Sequence, residues 1–73
     1  MRTKNVIRKA YKTTLQVSNI EDDTNFFDAG GDSLSAIRCI DMIERKLKVS
    51  IPIARLMNDS FCELCDFVQS NRR

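Results

Sequence analysis

Both glycines of this 73-residue chain stand side by side, at Gly30-Gly31, and run straight into Asp32-Ser33-Leu34. Glycine reaches φ > 0 without strain and lets another group come close to the backbone. Placing both at one point predicts one special turn. An amphipathic helical pattern begins directly after it, so the turn ends on a helix start. The first turn of a helix carries unpaired N–H groups and the positive end of the helix dipole, and both favour an anion. The local chemistry is one serine hydroxyl, Ser33, exposed at an anion-friendly helix start.

The rest of the chain reads as helix. Residues 4–16 set Val6, Ile7, Ala10, Tyr11 and Leu15 on one helical face, among Lys, Arg, Thr and Gln. Residues 17–32 lack that period and are dense in Ser, Asn, Asp and Gly. They predict a long loop, anchored by Phe26 and Phe27 with at least one ring in the core. Loops this long in a compact domain are usually functional. Residues 33–47 hold Leu34, Ile37, Ile40, Ile43 and Leu47 at three- and four-residue spacing. Asp32 suits the N-cap of that helix, and Arg45 and Lys46 suit its negative end. Pro52, the only proline, suits a first helical position and predicts a short helix over Ile53–Asn58. Ser60 and Glu63 have the spacing of a capping box. They open a last helix from Phe61 to about Gln69, with Phe61, Leu64, Cys65 and Val68 inward. The expected fold is all-α, three main helices plus one short helix with a long first loop, in one domain over 1–73.

Composition narrows what such a domain can do. There is no histidine, which removes the commonest general base and a common metal ligand. A core this small cannot wall off a large substrate cavity and a catalytic constellation as well. No apolar run is long enough for a membrane span or a secretory segment, so the chain reads as cytoplasmic with no membrane partner. The net charge of +2 is unevenly spread. Arg2, Lys4, Arg8, Lys9 and Lys12 occupy residues 1–20 with no acid; Glu21, Asp22, Asp23, Asp28 and Asp32 occupy 21–32 with no base. Two such blocks suit either mutual attraction or two solvated surfaces. No basic stripe is interleaved with aromatics, so no nucleic-acid partner is expected.

The three cysteines, Cys39, Cys62 and Cys65, are odd in number and suit a reducing compartment. Cys62-x-x-Cys65 has the spacing of half a zinc site. A tetrahedral site needs further ligands, and Cys39 is the only cysteine left to supply one. Both thiols fall within the apolar pattern of the last helix and read as structural, so no metal is expected.

Phe26 to Leu34, in the form FFxxGGDSL, resembles the phosphopantetheine attachment site of carrier proteins. It is most similar to the peptidyl carrier (thiolation) domains of nonribosomal peptide synthetases. Acyl carrier proteins of polyketide and fatty-acid synthesis are close relatives. The resemblance covers nearly the whole chain and implies a four-helix carrier-protein bundle. It implies that Ser33 receives 4′-phosphopantetheine from coenzyme A, with Gly31, Asp32 and Leu34 as the flanking motif. A separate Mg²⁺-dependent phosphopantetheinyl transferase supplies the catalysis. The arm then carries aminoacyl or acyl groups as thioesters, loaded by an adenylation or acyltransferase enzyme and passed to condensation or tailoring enzymes. The carrier itself needs no catalytic residue and is expected as a monomer. The resemblance also implies a small apolar docking surface: Leu34 and Ile37 near the serine, Ile53 and Met57 from the short helix, and Arg38 as a rim charge. The competing reading places all four apolar residues in the core. One departure is Asn58-Asp59-Ser60, where the family often has Asn-Pro-Thr.

Two other functions compete with this one. Gly31-Asp32-Ser33-Leu34 also spells the signature of the GDSL esterases, but those need a His base and a larger α/β fold. An unmodified helical interaction module would make Gly30-Gly31 an ordinary turn, and leaves the Phe pair, double Gly, Ser and helix in one order unexplained. Among carriers, residues 33–48 hold Arg38, Arg45, Lys46 and Lys48 against Asp41 and Glu44. That surface does not steer toward a basic dock, unlike the acidic second helix of fatty-acid carriers, and favours the peptidyl type. Polyketide-type carriers overlap in sequence and remain the alternative.

Overall fold

Four helices form where the apolar patterns predict them: α1 (Thr3–Leu15), α2 (Ser33–Leu47), α3 (Ile53–Asn58) and α4 (Phe61–Asn71). The structure is a computed structural model that describes residues 3–71; Arg2, one of the basic block, lies outside that range. α1 buries Ile7, Ala10 and Tyr11, with Val6 and Leu15 half-buried beside them. It stops at Leu15 because Gln16 turns left-handed, with φ 57°. α2 is capped as expected, by Asp32 at its start. At its end Lys48 takes a left-handed conformation and donates its N–H to the Glu44 carbonyl. Pro52 sits one position earlier than expected, at the N-cap of α3 with an extended ψ of 141°. The capping box of α4 is formed: the Ser60 N–H donates to Glu63 Oε1 at 2.9 Å, and the Glu63 N–H to Ser60 Oγ at 3.2 Å. α4 continues past Gln69 to Asn71, whose side chain donates to the Phe67 carbonyl.

The apolar repeat of α2 divides between core and surface. Its buried side is Ala36, Cys39, Ile40, Ile43 and Leu47, while Leu34 and Ile37 are 60% and 57% exposed. Residues three apart drift by about 60° around a helix at each step. A run at 34, 37, 40 and 43 therefore winds out of the core toward its first members. Small residues at 36 and 39 take the inward places instead.

Three aromatic rings fix the centre. Tyr11 meets Phe26 edge-on at 5.3 Å between centroids and Phe61 at 5.4 Å. Phe26 comes from the loop and is fully buried; Phe27 is half-buried against it. The loop is held along its length. Ile20 is buried, and its carbonyl accepts from the Arg8 guanidinium, which also lies over the Phe61 ring. The Thr24 and Asp22 carbonyls accept the N–H groups of Phe61 and Cys62 at 2.7 and 2.9 Å. The loop thus satisfies donors at the α4 start that the helix itself leaves open. Among the described residues, one ion pair joins the basic helix to the acidic loop: Lys4 to Asp22 at 3.3 Å. Lys9, Glu21, Asp23 and Asp28 are exposed, so most of the two charge blocks is solvated surface.

The Tyr11 hydroxyl is buried without a hydrogen-bond partner, and burial pushes its pKa far above the usual range. An unpartnered buried polar group costs about 1–3 kcal/mol. Tyr11→Phe keeps the ring contacts and removes that cost. It is expected to melt at or above the wild-type temperature in circular dichroism. A melting point several degrees lower means that the hydroxyl is bonded, to a buried water for example.

Cys39 and Cys65 are buried and Cys62 is half-buried, all as free thiols. Burial pushes the Cys39 thiol up to about 12 and the Cys65 thiol up to about 11. At neutral pH both are protonated and pack as small hydrophobes. Among the described residues, no group of three or more His, Cys, Asp or Glu is placed to hold a metal ion. No described helix is long and apolar enough to cross a membrane.

Candidate functional site

The turn before α2 is built on the burial of Phe26. With that ring in the core, the chain reverses over it through Ala29 to Gly31. The Ala29 N–H donates to the Asn25 carbonyl at 3.0 Å, and the Gly31 N–H to the Phe26 carbonyl at 3.1 Å. The two glycines serve different needs. Gly30 has φ +105°, which side-chain-bearing residues rarely adopt. Gly31 has no such φ, but a Cβ there would collide with the Phe26 ring and sit 2.8 Å from the Phe26 carbonyl oxygen. One glycine supplies the backbone sign and the other the space.

Asp32 follows in an extended conformation, and its Oδ1 accepts the Ser35 N–H at 2.9 Å. That bond holds the Asp32 carboxyl below its ordinary pKa. Ser33 is the first residue of α2 and is exposed. Its hydroxyl makes no hydrogen bond to any described residue. A serine without a bonded base is a weak nucleophile. The Ser33 hydroxyl is therefore left at the surface of the first turn of α2, with no base among the described residues bonded to it.

Asn25 is the residue that sequence reading missed, counting it only among turn-formers. Its Oδ1 accepts the N–H groups of Phe27 and Asp28 at 2.9 and 3.0 Å. Its Nδ2 donates to the Met57 and Asp59 carbonyls at 3.0 and 3.4 Å. One side chain therefore shapes the turn and clasps it to the C-terminal end of α3. The available signal was an Asn placed just before the turn, since Asn side chains bond their own backbone two residues on.

The apolar candidates are at the surface. Leu34 and Ile37 project from the start of α2 beside Ser33, while Ile53 and Met57, 39% and 50% exposed, lie on α3. Ile53 and Met57 are one helical turn apart on one face, and Leu56 is the residue α3 buries. α2 packs on α3, and Asn25 ties the turn to the same helix. Arg38 is exposed. The reading that places all four apolar residues in the core fails on their exposure.

Residues 5–68 match the family described as phosphopantetheine attachment site. The chain is 27% identical over 70 residues to bacitracin synthase 1 of Bacillus licheniformis, covering 96% of this chain and 1% of that protein. It therefore spans a very small part of that relative. Among solved structures, the fold is similar to a chain in the phosphopantetheine transferase Sfp complex with coenzyme A and a peptidyl carrier protein. The TM-score there is 0.88 at 24% identity, over 97% of this chain and 94% of that one. It is also similar to the A-PCP didomain of carboxylic acid reductase from Segniliparus rugosus in complex with AMP, with TM-score 0.88 and 19% identity, over 97% of this chain and 10% of that one. A third similar structure is McyG A-PCP complexed with phenylalanyl-adenylate, with TM-score 0.81 and 23% identity, over 93% of this chain and 11% of that one.

Proposed function

The chain belongs to the phosphopantetheine-attachment-site family, and from that membership we propose that Ser33 bears the 4′-phosphopantetheine and that residues 1–73 act as one peptidyl-type carrier unit. The observation that carries this reading is the exposed Ser33 hydroxyl at the first residue of α2, presented by the Gly30-Gly31 turn. The α2 start is favourable to the phosphate of the attached group. Asp32 holds the first turn in shape, and Gly31 lets the turn close over Phe26. The attached arm supplies a thiol on a long flexible tether, which holds an aminoacyl or acyl group as a thioester. The chain's own part is to bear the arm and to be recognised.

Recognition falls to the apolar surface beside the serine: Leu34, Ile37, Ile53 and Met57, with Arg38 at the rim. A phosphopantetheinyl transferase and an adenylation enzyme are the partners this reading names, followed by condensation or tailoring enzymes. An acyltransferase loads the arm in the alternative, acyl-carrier reading. The balance of Arg38, Arg45, Lys46 and Lys48 over Asp41 and Glu44 supports the peptidyl type. We place the unit in the cytoplasm, as a monomer.

The test is incubation with coenzyme A, Mg²⁺ and a broad-specificity phosphopantetheinyl transferase, followed by intact and peptide mass spectrometry. One phosphopantetheinyl group on the peptide containing Ser33 is the expected result. No gain, or a gain on another residue, overturns the assignment.

The docking surface has its own check. Met57→Ala removes an exposed side chain, and its stability should stay within about 0.5 kcal/mol of wild type. Truncating a buried methionine costs roughly 2–5 kcal/mol. Met57→Asp should slow loading by the cognate adenylation enzyme more than it slows modification at Ser33. Normal loading of Met57→Asp removes this residue from the surface.

A further inference from the structure

A second surface lies between α1 and α2, away from the serine. Met42 follows Ser33 along α2 by a distance that places it about 13.5 Å up the axis and about 180° around it. There the two helices leave a groove of about 460 Å³, a size typical of ligand sites. Val6 and Met42 form its half-buried walls, and Ala10 its floor. Lys9 stands on the α1 rim, Arg45 and Lys46 on the α2 rim, and no acid among the described residues lines it. Arg45 is held by Asp41 at 3.0 Å. Lys9 and Lys46 are exposed and have no ion-pair partner among the described residues.

We propose that this groove docks an acidic, amphipathic helical segment of a partner protein. The shape argument is one of spacing. Val6 and Ala10 on the α1 side, and Met42 and Lys46 on the α2 side, are each a helical turn apart. A partner helix repeats its side chains on the same rise of about 5.4 Å, so anchors at i, i+3 and i+4 meet the groove in register. The small Ala10 side chain leaves depth for one large apolar anchor. The charge argument fixes the sign. Cations stand on both rims over an apolar floor, and two of them are unpaired. A segment with Asp or Glu flanking its apolar anchors is complementary on both sides, while a Lys-flanked one is repelled. Occupation on this side leaves Ser33 and its apolar neighbours free, so the unit can be held at one surface and visited at the other. The inference does not depend on what Ser33 carries.

The probe is a synthetic helical peptide with Leu at i, i+3, i+4 and i+7 and Glu at the flanking positions. Its control carries Lys in place of Glu. Titrated into the labelled full chain, the Glu peptide should shift the NMR signals of Val6, Lys9, Ala10, Met42, Arg45 and Lys46, and should weaken as salt is raised. The double variant Lys9→Glu, Lys46→Glu should bind it at least about tenfold less tightly. It should keep its fold by circular dichroism and its rate of modification at Ser33. The milder Lys9→Gln, Lys46→Gln variant should fall between the two. Equal binding of the Lys peptide overturns the proposal, as do shifts centred on Leu34 and Ile37, or no shift at millimolar peptide. Self-association of the chain alone, abolished by the same charge reversal, makes the occupant a second copy and overturns it too. So does tighter occupation of the groove by laurate than by the peptide.

Discussion

Ser33→Ala should accept no phosphopantetheine under conditions that modify the wild type completely, and should remain folded. Ser33 is exposed and its hydroxyl bonds to no described residue, so its removal breaks no contact. Surface substitutions of that kind usually stay within about 0.5 kcal/mol of wild type. The cap of α2 belongs to Asp32, which bonds the Ser35 N–H and is untouched. The loss of modification is total because the substitution deletes the acceptor oxygen. Ser35 is the control. It lies about 200° around α2 from Ser33, is half-buried, and its N–H belongs to the cap. Ser35→Ala should be modified at the wild-type rate. Mass spectrometry of the three proteins, with melts run in parallel, reads all of these outcomes. Modification of the Ser33→Ala protein moves the site, and unfolding of that protein shows a structural role that its exposure does not suggest.

The starts of α2 and α4 were legible in the chain because local chemistry sets them. Asp32 caps the start whatever surrounds it, and Ser60 with Glu63 does the same for α4. The Phe pair and double Gly were legible for a related reason, since a buried ring under a close turn leaves a glycine as the residue that fits. What the apolar spacing alone could not show is which way a helix faces; the exposed placement of Leu34 and Ile37 came from the family resemblance. Leu34 and Ile37 share a three-residue spacing with Ile40 and Ile43, yet their orientation depends on where α1 and α4 pack. Asn25 was hidden for a stronger reason. Its clasp reaches the Met57 and Asp59 carbonyls across the fold, and nothing near position 25 points to partners that distant. Pro52 is a smaller case: its fixed φ of −65° suits the N-cap and the first helical position alike, and the neighbouring fold decides between them.

Phe26→Ala should remove a large share of the stability of the domain. The side chain is fully buried and meets Tyr11 edge-on at 5.3 Å. Phe→Ala in a core costs about 3–5 kcal/mol. A domain of this length has roughly 4–11 kcal/mol in total on a per-residue scale. Phe27→Ala should cost clearly less, because that ring is only half-buried. Urea unfolding of the two variants ranks them, and the reverse order makes Phe27 the anchor. The same ring explains Gly31. Gly31→Ala sets a Cβ against the Phe26 ring and 2.8 Å from the Phe26 carbonyl oxygen, so it should be costly in the wild type. In the Phe26→Ala background the two nearest contacts, both with the ring, are gone, while the carbonyl contact remains. The two substitutions should then be less than additive, with a coupling inside the roughly 0.5–3 kcal/mol seen for residues in contact. The cycle needs a stable host, and Tyr11→Phe supplies one if it melts as expected. Strict additivity means that the turn does not close over Phe26, and that Gly31 answers to some other constraint at the start of α2.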